Sequence, residues 1–378
     1  MRAVIVGWKR SPFSRAHKGD LFELRPDDLG GQVIEELMRE TRIDSSIIDD
    51  IIVGCAYPEG EQGYNIGRMM SFMGGLDYNT PGQTINRLCG SSMQSILSAH
   101  ANIASGLGEM YLCGGIESMS RVKRRGFNWS PNPLLEERYP EAYVNMGNTA
   151  ENVADSFGIT REEQEKFALL SHRKASNAKI NGFFTEEIAN ISHNGTIYNE
   201  DGCIRGDTTL ETMSSLNPAF KQGGTVTAAT SSPLTDGAVF SIICSESLAK
   251  SLHLSPMAAI VSGATTGCPP ELMGLGPISA VTKVLDMTGW KIDEVDIFEI
   301  NEAFASQSIA CISELGIDIN RVNIDGGALA IGHPLGASGA RITCKAASLM
   351  NRTGAKRAIA TMCIGGGMGM AIALESLD

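Results

Sequence analysis

The spacing of apolar and polar positions predicts strands and helices that alternate along the whole chain. Residues 1–7 form an apolar run that predicts a first strand, and residues 81–88 predict a buried strand that enters a tight turn. The small residues at 91–104 have apolar positions at helical spacing, and they predict a helix. Strands that alternate with helices in this way are typical of an α/β fold.

Two parts of the chain share this pattern at a fixed offset of 246 residues. The apolar strand around Ile51 follows a helix end and a polar turn, and so does the strand around Ile297. The same offset takes Ser92, at the start of a small-residue helix, to Ser338, at the start of a second one. The sequence therefore predicts a duplicated α/β fold.

The region between the two halves has a different composition. It contains loops rich in proline and asparagine at 128–140, and an amphipathic helix that begins with a capping box formed by Thr160 and Glu163. Insertions of this length in a compact fold are usually functional lids or binding loops. The predicted domains are an N-terminal half at 1–120 and 236–254, an inserted domain at 121–235, and a C-terminal half at 255–378.

Composition and charge limit the classes of function. A net charge of −12 argues against sequence-independent binding to nucleic acid or to anionic membranes. One short basic run, 121–125, predicts a solvated loop or a local anion site. The first apolar run is too short for a signal peptide, and no apolar span of about 18 residues predicts a membrane helix.

The cysteines predict a reducing compartment. There are nine of them, an odd number, and no CxxC pair suggests a disulfide framework or a zinc site. Reduced thiols are typical of intracellular proteins, so we predict a cytoplasmic protein without a bound metal.

Cys89 lies where a predicted strand turns into a helix. A thiol at this position faces the positive end of a helix dipole and unpaired backbone N–H groups. Such surroundings lower a thiol pKa from ~8.5 toward ~3.5–7.5 and make the sulfur a nucleophile. The alternative is a buried structural thiol, because free cysteine is among the most buried residue types.

Three further segments contain candidate chemistry. His333 lies between Gly332 and Pro334 at the helix start that duplicates the one beside Cys89, so it is a candidate base; the alternative is an incidental histidine in a glycine-rich turn. Cys363 ends an apolar strand, and the glycines after it would leave backbone N–H groups free for an oxyanion, although a β-bulge is the alternative. Asn301 follows a strand predicted at 295–298, where it would orient a water or simply form a turn.

Together these segments resemble the thiolase family over the full length of the chain. The motifs are Asn-Arg-Leu-Cys-Gly-Ser at 86–91, Asn-Glu-Ala-Phe at 301–304, Gly-His-Pro-Leu-Gly at 332–336 and Cys-Ile-Gly at 363–365, and they occur in the order and spacing of that family. The resemblance implies the thiolase fold, in which two duplicated βαβαβαββ halves form a five-layer αβαβα core with an inserted loop domain.

The resemblance also implies a reaction, the thiolysis of a 3-ketoacyl-CoA by CoA in fatty-acid β-oxidation. Cys89, deprotonated by His333, would attack the keto carbonyl and carry the acyl group, and Cys363 would move protons. His333 and a water held by Asn301 would bind the thioester oxygen, while the backbone N–H groups of Cys89 and Gly365 would bind the tetrahedral oxyanion.

In the family, the inserted domain binds CoA, which is a substrate, so no cofactor is expected. The residues that match CoA contacts or the apolar wall of the site are Arg205, Phe220, Ala228, Ser232, Met146, Met273 and Phe304. The resemblance further implies a homodimer or homotetramer. A β-oxidation hydratase–dehydrogenase is a candidate partner that no residue of this chain identifies.

One departure from the family bears on the direction of the reaction. Biosynthetic acetoacetyl-CoA thiolases have a histidine where this chain has Asn145, and the run at 231–237 is also closer to degradative members. We therefore favour a degradative 3-ketoacyl-CoA thiolase and keep acetoacetyl-CoA thiolase as the alternative. The Cys363 segment argues against a ketoacyl synthase, and intact Cys89, His333 and Cys363 argue against a non-catalytic acyl-CoA carrier.

Overall fold

The computed structural model describes residues 1–377, in which strands and helices alternate as the apolar spacing predicts. The strands are β1 (Ala3–Arg10), β2 (Ser14–Arg15), β3 (Asp50–Gly54), β4 (Gly82–Ile85), β5 (Met110–Ser118), β6 (Ile191–His193), β7 (Thr196–Tyr198), β8 (Thr235–Ser245), β9 (Ala258–Gly267), β10 (Ile297–Ile300), β11 (Arg357–Ile364) and β12 (Met368–Glu375). The α-helices are α1 (Pro26–Thr41), α2 (Ile66–Met73), α3 (Ser91–Ser105), α4 (Pro133–Arg138), α5 (Met146–Phe157), α6 (Arg161–Ile180), α7 (Leu210–Ser214), α8 (Glu246–Ser251), α9 (Gly276–Thr288), α10 (Ala305–Leu315), α11 (Ala328–Ile331) and α12 (Leu335–Thr353).

The sheet topology repeats between the two halves of the chain. The first half has the strand order β1-β8-β5-β3-β4, and the second half has the order β9-β12-β11-β10. In each half the first two pairings are antiparallel and the next is parallel. A parallel bridge between Phe298 and Val322 stands where β4 stands in the first half. This correspondence confirms the duplication that the 246-residue offset predicts.

Helices cover and separate the two parts of the sheet. α1 and α2 pack on the outside of the first half, and α9 packs on the outside of the second, where the α10 residue Ile312 joins the same apolar core. α3 and α12 pack against each other and against strands of both halves. The result is the expected α-β-α-β-α layering, with one addition: β1 also pairs with β9, so the two parts of the sheet are continuous.

The inner helices approach each other closely at their N-terminal ends. A Cβ atom on Gly339 of α12 would lie 2.5 Å from the backbone nitrogen of Met93 in α3, a distance that real Cβ atoms do not show. The backbone N–H of Ala340 donates a hydrogen bond to the Ser92 hydroxyl at 2.9 Å. Because the backbones meet at these small residues, the first turns of α3 and α12 lie side by side.

The elements between β5 and β8 form most of the predicted insertion. α5 and α6 pack against α10, and α6 also packs against α11, so this region covers one side of the second half. α6 begins with the predicted capping box, in which the Glu163 carboxylate accepts the Thr160 backbone N–H at 2.7 Å. The domain boundaries given above stay a prediction.

Some local predictions differ from the structure. The strand predicted at 81–88 is short and partly exposed, because β4 is at the edge of the sheet and pairs only with β3. The strand predicted at 295–298 begins two residues later, as β10. The basic run is largely a solvated loop, in which Arg121 pairs with Glu61 and Arg125 stacks on Trp129. Within residues 1–377, no helix has the length and apolar character needed to cross a membrane.

A chain of buried ion pairs joins the halves to the inserted region. Arg10 of β1 is fully buried and pairs with Asp201 at 2.6 Å and with Glu187 at 2.8 Å. Glu187 also accepts from Lys345 of α12, which in turn pairs with Asp325 at 2.7 Å. Charges this deep are tolerated because each has an opposite partner, so removal of one leaves its partner buried and uncompensated.

We expect Arg10→Met to lower the free energy of unfolding by about 3–5 kcal/mol, because the buried Asp201 loses its cation and Glu187 loses one of its two. Urea unfolding followed by circular dichroism measures this effect. The matched control is Arg39→Met. It removes a side chain that is 71% exposed and that, within residues 1–377, pairs with its helix neighbour Glu36 alone, so it should leave the transition nearly unchanged. Equal shifts for the two variants would contradict a structural role for the buried pairs.

Candidate active site

Cys89 is positioned by a strained turn between β4 and α3. Leu88 has a positive φ of 47°, and its backbone N–H donates to the Asn86 side chain at 2.8 Å. Gly90 is the N-cap of α3, and a Cβ atom there would lie 2.4 Å from the Ile364 side chain. Glycine therefore lets the turn approach the end of β11 without displacing that side chain, and this approach sets Cys89 beside the glycines that follow Cys363.

The Cys89 thiol is protonated at rest. Its pKa is raised to about 11, mainly by burial and in part by the charge of Glu117, while the backbone N–H groups of Gly365 and of Cys89 itself act in the opposite direction. The prediction of a lowered thiol pKa was therefore wrong, because desolvation outweighs the helix N-terminus. A base is needed to generate the thiolate.

His333 is held in one tautomer by its neighbours. Its Nδ1 lies 2.6 Å from the Ser338 hydroxyl, whose own proton is donated to the Pro334 carbonyl at 2.8 Å. The hydroxyl oxygen must then accept a proton from Nδ1, which leaves Nε2 as the unprotonated nitrogen. The Asn301 amide nitrogen is 3.4 Å from that Nε2. The Thr235 hydroxyl fixes the backbone by accepting the His333 N–H at 3.0 Å.

The imidazole of His333 is neutral at physiological pH. Burial lowers its pKa to about 3, and the positive charge of Arg341 contributes in the same direction. Arg341 itself is buried, with Glu299 of β10 at 3.6 Å. A neutral imidazole with a free Nε2 is the form that accepts a proton.

Asn301 and Cys363 come from neighbouring parallel strands. Asn301 follows β10, and its backbone N–H donates to the Thr361 carbonyl of β11 at 3.0 Å. Cys363 is buried two residues further along β11, where burial and the adjacent Cys89 thiol raise its pKa well above the ordinary value. The second thiol is therefore also protonated, and it could donate its proton during a reaction at Cys89.

Several residues predicted to contact CoA surround Cys363. Met146, Met273 and Phe304 share one apolar cluster with it. Phe220 extends this wall, since its ring meets the Phe304 ring edge-on with centroids 6.0 Å apart. These side chains line one continuous apolar surface beside the thiols.

The other predicted CoA contacts lie around this cluster rather than in it. The Ser232 backbone N–H donates to the Ala303 carbonyl at 3.0 Å, which ties its loop to the segment after Asn301. Ala228 is exposed on the same loop. Arg205 is exposed, and its backbone N–H donates to Nδ1 of His172 at 3.2 Å.

Sequence reasoning missed the residues that orient the site. Ser338 and Thr235 hold His333, Arg341 acts on its pKa, and Glu117 acts on Cys89. Ser338 had a signal, because the 246-residue offset pairs it with Ser92 in the twin helix. The other three give no local signal, since each acts from a different element.

The arrangement supplies the parts of an acyl-transfer site. It has a partly buried nucleophile, Cys89, backed by backbone N–H groups that would stabilise an oxyanion. It has a neutral base in His333 and a second protonated thiol in Cys363. The first half provides the nucleophile, and the second half provides the base and the proton donor.

Comparison with known proteins agrees with this assignment. Residues 3–247 match the family model "Thiolase, N-terminal domain", and residues 254–376 match "Thiolase, C-terminal domain". A 3-ketoacyl-CoA thiolase of Bacillus subtilis is 42% identical over 99% of both chains, and one of Saccharophagus degradans is 43% identical over 98% of this chain and 97% of its own. The crystal structure of the Bacillus anthracis acetyl-CoA acetyltransferase superposes with a TM-score of 0.91 at 34% identity, over 100% of this chain and 99% of that one. The chain belongs to the thiolase family.

Proposed function

We propose that this protein is a 3-ketoacyl-CoA thiolase, which uses CoA to cleave a 3-ketoacyl-CoA into acetyl-CoA and a shortened acyl-CoA. The observation that carries the proposal is that the Gly365 backbone N–H interacts with the Cys89 thiol. Gly365 lies two residues beyond Cys363, so the nucleophile and the second thiol belong to one site. A nucleophile, an oxyanion donor and a mobile proton are what cleavage next to a carbonyl requires. The names of the relatives from B. subtilis and S. degradans support the same activity.

In the first half-reaction, the Cys89 proton passes to Nε2 of His333 and the sulfur attacks the 3-keto carbonyl. The oxyanion forms beside the N–H groups of Cys89 and Gly365, and it collapses with cleavage of the bond between C2 and C3. The leaving acetyl-CoA enolate takes the proton of Cys363. His333, now protonated, and a water held by Asn301 would stabilise the enolate oxygen.

In the second half-reaction, the Cys363 thiolate takes the proton of an incoming CoA thiol. The CoA sulfur attacks the acyl group on Cys89, and the Cys89 sulfur leaves and takes back the proton from His333. Both cysteines and the imidazole then return to their neutral resting forms, which are the forms that burial favours in the free protein.

We place the CoA substrate along the inserted region. The apolar cluster of Met146, Met273 and Phe304 would contact the pantetheine and the start of the acyl chain, with Phe220, Ala228 and Ser232 further out. The exposed guanidinium of Arg205 suits the phosphates of the nucleotide. CoA acts as a substrate here, and we propose no cofactor.

We propose the degradative direction, in fatty-acid β-oxidation. Where biosynthetic members have a histidine, Asn145 caps α5 by accepting the Gly147 N–H at 2.9 Å, a structural role at the edge of the site. The nine free cysteines support a reducing, cytoplasmic location. A hydratase–dehydrogenase would be the partner that supplies the 3-ketoacyl-CoA.

Replacement of the nucleophile tests the reaction class. Cys89→Ala should lower thiolysis by on the order of 10³-fold or more, because no other group accepts the acyl chain. Mass spectrometry of the wild-type protein incubated with decanoyl-CoA should find the acyl group on the peptide that contains Cys89. The control Cys244→Ala removes a buried thiol of β8 outside the site and should retain activity. Undiminished thiolysis by Cys89→Ala would refute the enzyme proposal.

A chain-length series distinguishes the two thiolase alternatives. We expect kcat/KM for thiolysis of 3-ketodecanoyl-CoA to equal or exceed that for acetoacetyl-CoA, because the apolar wall beside Cys363 favours a longer acyl chain. Steady-state kinetics with both substrates measure this ratio. Activity confined to acetoacetyl-CoA would instead favour an acetyl-CoA acetyltransferase, the activity named for the B. anthracis structure.

A homo-oligomer is the remaining part of the proposal. β4 is an edge strand, and exposed aromatic side chains stand near it: Tyr64 is 90%, Tyr78 74% and Phe72 51% exposed. Edge strands that lie beside exposed apolar side chains are usually covered by another part of the chain or by another subunit. Sedimentation velocity at micromolar concentration should give a dimer or a tetramer, and a stable monomer would contradict this part of the proposal.

A further inference from the structure

Glu117 is a buried carboxylate that the reaction above does not use. It lies near the end of β5 and is 0% exposed, and within residues 1–377 no lysine or arginine pairs with it. Burial raises its pKa, whereas hydrogen bonds from four surrounding groups lower it. A buried carboxylate needs hydrogen-bond donors to compensate for its lost hydration. The segments that supply those donors are therefore the ones that Glu117 holds in place.

One set of donors leads to the Cys89 turn. The Glu117 carboxylate accepts the backbone N–H of Ala56 at 2.8 Å and that of Tyr57 at 3.3 Å. The Ala56 carbonyl in turn accepts from the Asn86 side chain at 3.0 Å, and Asn86 also accepts the N–H of the residue before Cys89. Three successive hydrogen bonds therefore connect Glu117 to the turn that presents the nucleophile.

Another donor leads to the His333 turn. The Glu117 carboxylate oxygen that accepts from Ala56 also accepts the backbone N–H of Gly336 at 2.9 Å. Gly336 lies in the first turn of α12. A Cβ atom on Gly336 would lie 3.0 Å from that oxygen and 2.9 Å from the Cα of Cys55, so the contact depends on glycine. The positive end of α12 also favours an anion here. Gly336 lies three residues after His333, so its hydrogen bond to Glu117 anchors the turn that carries the imidazole.

Gln62 completes the arrangement by orienting the carboxylate. Its amide nitrogen donates to Glu117 at 2.8 Å, and its amide oxygen accepts the Ser118 backbone N–H at 2.5 Å. Glu117 thus has a fixed rotamer, with one oxygen shared between the two turns. We infer that Glu117 is a positioning residue that keeps the Cys89 turn of the first half and the His333 turn of the second half in register.

The charge of Glu117 has a separate effect on the thiol. Its negative field is one of the causes that keep Cys89 protonated. The charged or titratable groups that face the thiol are Tyr57 after β3, Glu117 of β5, Arg124 after β5, Cys363 of β11 and the proposed base His333. A neutral side chain at position 117 should therefore make Cys89 more acidic while it disturbs the geometry, and these two effects move reactivity and turnover in opposite directions.

Glu117→Gln separates positioning from mere stability. We expect the rate of Cys89 alkylation by iodoacetamide, followed by peptide mapping between about pH 7 and 10, to rise and its profile to shift down by roughly half a pH unit or more. We expect kcat for thiolysis to fall by on the order of 10–100-fold with little change in KM. If the amide oxygen keeps the bonds to Ala56 and Gly336, the amide NH2 faces the donors of Tyr57 and Gln62, and this donor–donor conflict shifts the side chain away from the two turns. The control Asp236→Asn removes a buried carboxylate that bonds to Ser118 and Ser120 instead; its alkylation profile should match the wild type.

Two results would overturn the inference: an unchanged kcat for Glu117→Gln, or a parallel fall in alkylation and turnover. If Glu117→Gln does not fold, Glu117→Asp decides, since it keeps the charge but shortens the reach. It should then retain the wild-type alkylation profile with a reduced kcat, and an unchanged kcat would refute the role. The turnover arm rests on the proposed function. A wild-type protein without thiolysis activity would refute that function, while the alkylation arm would still test the link between Glu117 and Cys89.

Discussion

The close approach of α3 and α12 is the constraint on which the site depends. The two helices are twins from the two halves of the chain, and they meet backbone to backbone at their first turns. A Cβ atom on Gly54 would lie 2.4 Å from the Ser91 backbone, and one on Gly115 would lie 2.1 Å from the carbonyl oxygen of Gly336. Protein interiors absorb such overlaps poorly, so these glycines of β3 and β5 allow both helix starts to lie against the same two neighbouring strands.

This approach explains why one site can draw on both halves. Each helix start carries its own turn, with Cys89 before α3 and His333 before α12. The β10 and β11 strands then bring Asn301 and Cys363 to the same place, because the carboxyl ends of parallel strands share an edge of the sheet. The site is therefore formed where the two duplicated halves meet, and neither half contains it alone.

Burial, more than the helix dipole, determines the protonation states of the two thiols and the imidazole. A helix N-terminus favours an anion by about 0.3–2 kcal/mol, whereas full burial can shift a pKa by about 3–5 units at about 1.4 kcal/mol each. Both thiols stay protonated and His333 stays neutral for this reason. Charge would appear only during the reaction, next to backbone N–H groups that are already oriented toward it.

The sequence was sufficient for features that depend on local pattern. The alternation of elements, the 246-residue repeat, the helix start after Cys89 and the Thr160 capping box are all present in the structure. Features that depend on several distant elements were out of reach. The Cys89 pKa depends on burial and on Glu117, the His333 tautomer depends on a hydroxyl one helix turn away, and Arg10 pairs with residues nearly two hundred positions later.

The convergence of the two halves at the thiols can be measured directly. Treatment of the native protein with 1,3-dibromoacetone, a short reagent that bridges neighbouring thiols, followed by peptide mapping, reports which cysteines are adjacent. We predict a dominant cross-link between Cys89 and Cys363, since Cys89 is close enough to raise the pKa of Cys363 and is itself influenced by the Gly365 backbone N–H, two residues beyond Cys363. Alkylation of Cys89 without any bridge to Cys363 would contradict a site shared by the two halves.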